Sequence, residues 1–124
     1  MSLVIPMIPL TGITSIIFRI NKMKTKNLTI GISGENASIW VLGHLPLEWC
    51  CRADGSKLQN SKYDNKNSID WEENNLVTLI ADRDMGTLSY QVLAVDLRVA
   101  FSNEKIKYVP LHFAVNITNI EDEI

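Results

Sequence analysis

Residues 81–101 read ADRDMGTLSYQVLAVDLRVAF, and this stretch decides the fold. Leu88, Tyr90 and Val92 alternate with Thr87, Ser89 and Gln91; beyond Leu93-Ala94, the residues Val95, Leu97, Val99 and Phe101 alternate with Asp96, Arg98 and Ala100. A period of two puts each apolar set on one face of an extended chain, so the pattern predicts two half-buried strands. With Leu93-Ala94 as a two-residue loop, Val92 falls opposite Val95, Tyr90 opposite Leu97 and Leu88 opposite Val99. Every cross-strand pair on that face is then apolar. The turn itself departs from expectation. A type I′ loop needs positive φ at both central residues and normally uses Asn-Gly or Asp-Gly. Leu93-Ala94 either carries strain or opens to another turn type, with Leu93 exposed at its tip as an apolar contact for a partner or a neighbouring copy.

Working outward, the runs ITSIIFRI, LTIGIS, NLVTLIAD, TLSYQV, VDLRVAF and LHFAVNI all have strand length and composition. Their separators are polar: KMKTKN, the long ADGSKLQNSKYDNKNSIDWEENN, and SNEKIK. The opening MSLVIPMIPL is broken by Pro6 and Pro9 and reads as an extended lead-in strand, not a signal peptide or a membrane span. No run has convincing helical periodicity. The fold class expected is therefore all-β, an antiparallel two-sheet sandwich with little helix. Its inward face is expected to hold Leu28, Ile30, Ile32, Leu88, Tyr90, Leu97, Val99, Phe101, Phe113 and Val115.

Composition limits the function. The chain has 124 residues, which suits a single domain, here read as residues 1–124 and as part of a longer parent chain. Twelve basic residues against 14 acidic ones give a net charge of −2, which speaks against nucleic-acid and membrane-surface partners. The one basic run, RINKMKTK, with Lys22, Lys24 and Lys26 on alternate residues, reads as a solvated hairpin edge. Cys50 and Cys51 are adjacent; a bridge between neighbours would be strained and close almost no loop. They are expected to be reduced, which points to a cytoplasmic protein.

From WCCRADGSKLQNSKYD through residues 81–101 to PLHFAVNI, the chain resembles the SPRY domain family, also called B30.2 when it carries an N-terminal extension. Ala53-Asp54-Gly55 is similar to the family's S-D-G. Asp82 to Tyr90 matches its D-x-x-x-G-T-[LI]-S-[FY] entry, and Val99-Ala100-Phe101 ends like its L-G-V-A-F. The departures are Leu93-Ala94 for the family's Asn-Gly turn, Arg98 for the glycine before V-A-F, and Phe113 for the proline of the closing strand. The resemblance implies a bent sandwich whose rim loops hold peptide segments of partner proteins, with no chemistry of its own and no cofactor.

Enzymatic readings find little support in the residues. The two histidines, His44 and His112, have no sequence neighbour suggesting a proton relay, and Cys50-Cys51 with remote histidines lacks metal-site spacing. Asp82 and Asp84 suit capping of the turn before Gly86. Two binding functions follow. The leading one is a protein-recognition domain, an adaptor or substrate-recognition module of a larger assembly such as a ubiquitin ligase. Its candidate surface is His44, Trp49, Arg52, Tyr63, Leu93 and Arg98, since aromatic and guanidinium groups dominate interface energetics. Weak self-association through Leu93 belongs to the same reading. The alternative is a carbohydrate-binding, lectin-like sandwich using Trp40, Trp49, Tyr63 or Trp71 as a stacking platform.

Overall fold

The computed structural model describes residues 2–23, 28–34, 47–60, 62–64, 70–92 and 95–116, with backbone alone for 2–6, 95–97 and 116. The described strands are β1 (Ser2–Met7), β2 (Ile13–Arg19), β3 (Thr29–Ser33), β4 (Glu48–Arg52), β5 (Lys57–Gln59), β6 (Lys62–Asp64), β7 (Leu76–Asp82), β8 (Thr87–Val92), β9 (Val95–Ser102) and β10 (His112–Asn116). They form a six-stranded sheet, β1-β10-β3-β4-β5-β6, and a four-stranded sheet, β2-β7-β8-β9, with every neighbouring pair antiparallel. All six expected strands are present, and the lead-in strand is β1. The segment bearing Lys22 is a correction: β2 and β3 belong to different sheets, so the chain crosses between sheets there instead of turning a hairpin. A second correction concerns the long polar separator, which holds β5 and β6. A short 3₁₀ helix, Glu104–Lys107, follows β9, with the Asn103 side chain accepting from the Lys105 amide.

The core lies between the sheets. Leu28, Ile30, Ile32, Phe113 and Val115 from the larger sheet meet Phe18, Val77, Leu79, Leu88 and Tyr90 from the smaller, all buried. Each such aliphatic side chain stabilises the fold by roughly 1.5–3 kcal/mol relative to exposure. Tyr90 also ties the layers together. Its hydroxyl donates to the Ile30 carbonyl across the sandwich, and Trp71 stacks on its ring at 6.3 Å between centroids and 7° between planes. Cys51 lies in the same layer, and burial pushes its thiol up to about 12. Both cysteines are free. Gly31 is required by the close approach of β3 to β4: a Cβ there would stand 2.0 Å from the Trp49 carbonyl oxygen and 2.5 Å from the Cys50 Cα.

The deciding hairpin folds as expected in outline but not in register. Val92 pairs with Val95, consistent with a two-residue connection at Leu93-Ala94, which itself lies outside the described residues. Tyr90 then pairs with Arg98, and Leu88 with Phe101. Two irregularities in β9 each insert one residue, shifting the ladder by two in all. Parity is restored at Phe101, so the apolar pairing survives there with a different partner. Val99 is the correction to the expected core: it pairs with Ser89 and is 49% exposed. Phe101 is half-buried and packs against the core; Leu97 lies among the side chains outside the description.

The β7–β8 turn is held as its sequence predicts. The Asp82 carboxylate accepts from the amides of Asp84 and Met85 at 3.0 and 2.9 Å, and Gly86 takes φ +73°. Asp84 reaches back to the Gly12 amide. Between them, Arg83 is 1% exposed. Its Nη2 donates to the Val109 carbonyl, while Nε and Nη1 have no acceptor. Burial lowers its pKa.

Candidate functional site

The two sheets differ by two strands, and the difference makes a cleft. Lys57, Gln59, Lys62 and Asp64 share one face of the β5–β6 hairpin, because Lys57 pairs with Asp64 and Gln59 with Lys62. The same face of β4 carries Trp49 and Cys51, opposite Gln59 and Lys57. In β4 this face meets the core, whereas at β5–β6 it overhangs β9, the edge strand of the smaller sheet. The overhang explains its polar residues: a short hairpin without a full opposing strand has no apolar surface to match. Asn60, at φ +51°, turns the hairpin.

The resulting cleft has a volume of about 260 Å³. Trp49 and Lys57 lie at its base, Gln59, Lys62 and Asp64 along one side, and Ala100 to Asn103 along the other. Lys57 bridges the two sides. Its ammonium donates to the Ala100 carbonyl at 3.1 Å and lies 5.8 Å from the centroid of the Phe101 ring. Ala100 is the residue inserted by the second irregularity of β9, between Val99 and Phe101. The irregularity thus frees a backbone carbonyl from the ladder and turns it towards the cation.

The residues expected to bind do not form one site. Trp49 is buried at the base of the cleft. Arg52 and Tyr63 come together on the outward face of the larger sheet, with Nη2 donating to the Tyr63 hydroxyl at 2.9 Å and the guanidinium 4.9 Å from the ring centroid. Asp54 adds a 4.0 Å ion pair to Arg52 and holds the β4–β5 turn through the Ser56 amide. Arg98 is exposed on β9. His44 and Leu93 lie outside the described residues. Sequence reasoning missed Lys57, Gln59 and Phe101 as lining residues. The available signal was the pattern KLQ-NS-KYD, two alternating triplets around a two-residue Asn-Ser turn.

Among the described residues no group of three His, Cys, Asp or Glu is placed to hold a metal. No described helix is long and apolar enough to cross a membrane. Cys50 and Cys51 are buried, and burial raises both thiols well above their ordinary range, which removes the thiolate a nucleophile needs.

No family model matches the chain, and no curated protein matches it by sequence. Solved structures do match. A human SPRY domain superimposes with a TM-score of 0.74 at 14% identity, over 98% of this chain and 79% of the other. The SPRY domain of human HERC1 gives 0.72 at 17% identity, over 93% and 69%. The PSpry domain of TRIM65 gives 0.70 at 13% identity, over 95% and 65%. Identity this low speaks for architecture alone. The chain therefore has the SPRY-type β-sandwich fold, in a strongly divergent sequence.

Proposed function

We propose that this domain is a non-catalytic protein-recognition module that holds a short extended segment of a partner protein in the cleft between the β5–β6 hairpin and the end of β9. The observation that carries the reading is the cleft itself, an open site with the half-buried Phe101 ring, Trp49 buried beneath, and polar groups from both sides, beside an edge strand. At about 260 Å³ it falls just below the ~300–1,000 Å³ typical of pockets for drug-sized ligands, a size suited to one or two side chains of a peptide. The edge of β9 favours an extended ligand, since unpaired strand backbone offers hydrogen bonds to a peptide laid along it.

The wider reading is that the domain acts in the cytoplasm as the recognition part of a longer chain, bringing its partner to a larger assembly such as a ubiquitin ligase. Its support is the fold, shared with SPRY domains that include one within human HERC1, together with the reduced cysteines. Of the rings the lectin reading would use, Trp49 and Trp71 are buried and Trp40 lies outside the described residues, while Tyr63 is 55% exposed with Arg52 against one face. Selection of a random peptide library on the immobilised domain tests the proposal. Enrichment of a shared motif that binds in solution supports it; a library that yields no binding peptide sinks it.

A further inference from the structure

We propose that the cleft selects an acidic side chain, Asp or Glu, on the segment it holds, and that Lys57 is the residue making that selection. The inference rests on the peptide-recognition reading above and adds the chemistry of the ligand to it. Lys57 is only 6% exposed, yet its ammonium carries three donors and a full charge. One donor meets a neutral carbonyl at 3.1 Å, and the charge lies near the Phe101 ring. Asp64 stands opposite Lys57 on β6, and the hydrogen bond described for the ammonium itself is the one to the Ala100 carbonyl. The ammonium lines the open cleft, and the Ala100 carbonyl uses one of its three donors.

Of the groups a peptide presents, a carboxylate alone supplies both the opposite charge and the acceptor lone pairs the ammonium lacks. Lys62, on the same face and opposite Gln59, adds a second positive charge to the lining. Among the described lining residues Asp64 is the one carboxylate, against Lys57 and Lys62. The Ala100 carbonyl fixes where the ammonium sits, so the cation is placed before the ligand arrives. A strap that merely joined β5 to β9 would serve the fold equally well without influencing which peptide binds, and this difference is measurable.

The test uses a random library displayed with peptide C-termini fused to the coat protein, so that side chains are the only carboxylates varied. Selected peptides are then made acetylated and amidated, and their affinities measured by fluorescence anisotropy. The expected result is one fixed acidic position. Changing that residue to its amide weakens binding roughly thirtyfold or more. In the Lys57→Met domain, checked for a cooperative thermal transition, the same change has no further effect. If peptides bind and the acid-to-amide change leaves affinity within about twofold, the carboxylate inference is overturned while peptide recognition stands. The peptide substitution leaves the domain untouched, so this outcome holds even if Lys57→Met fails to fold. If no peptide is selected, both readings fall together.

Discussion

Raising the pH above 9 should destabilise this domain steeply, through its buried thiols. Burial moves Cys51 from its ordinary 9.0 to about 12 and pushes Cys50 up as well. Between those values the unfolded chain has released its thiol protons while the folded chain keeps them. The folded state binds more protons, so stability is fully present below pH 9 and falls as pH rises. Cys51 alone costs about 1.4 kcal/mol for each pH unit, and Cys50 adds a loss of the same sign. Over two pH units Cys51 alone removes about 2.5 kcal/mol, a sizeable share of total domain stabilities of ~5–15 kcal/mol. Tyr90, also raised by burial, steepens the fall above its ordinary value of 10.0. Urea denaturation at steps from about pH 7.5 to about pH 11 measures the slope. A Cys50→Ala, Cys51→Ala variant has lower stability at neutral pH but a flatter profile. An equal slope in that variant, or a flat profile for the native domain, would refute the assignment of both side chains to the interior.

Two substitutions probe the scaffold. Gly31→Ala should cost about 4 kcal/mol or more, since its Cβ would overlap the Trp49 carbonyl at 2.0 Å and force β3 from β4; a loss under about 1 kcal/mol, read from urea midpoints, would mean the strands do not approach this closely. Arg83→Met removes a buried charge whose Nε and Nη1 lack acceptors, so stability should stay level or rise by up to about 2 kcal/mol. A loss of more than about 2 kcal/mol would show that the guanidinium is satisfied in the folded protein.

The strands with clean alternation were legible because each lies over the opposite sheet, where burial enforces a period of two. Leu28, Ile30, Ile32, Leu88, Tyr90, Phe113 and Val115 all fall in the interior for that reason. The β5–β6 hairpin was not legible, since the same alternation is written there in Lys, Gln and Asp above a cleft. Register in β9 escaped the pattern because two inserted residues preserve the parity of Phe101 while displacing Val99. Trp49 and Tyr63 looked alike as aromatic candidates; only pairing separates the inward face of β4 from the outward face of β6. In sequence Lys57 resembles a solvated loop lysine, because nothing local marks the Ala100 carbonyl that it meets across the cleft.

The central claim is that the cleft beneath β5–β6 is where this domain holds a peptide, and chemical-shift mapping tests it most directly. A uniformly ¹⁵N-labelled domain is titrated with a selected, amidated peptide, and the amide perturbations are placed on the structure. The account predicts the largest shifts at Lys57, Gln59, Phe101, Ser102 and Asn103, with little change at Arg52 and Tyr63 on the outward face. Perturbations centred instead on the outer face of the smaller sheet, where Ile13, Ile17, Leu76 and Val99 are exposed, with the cleft unmoved, would contradict it.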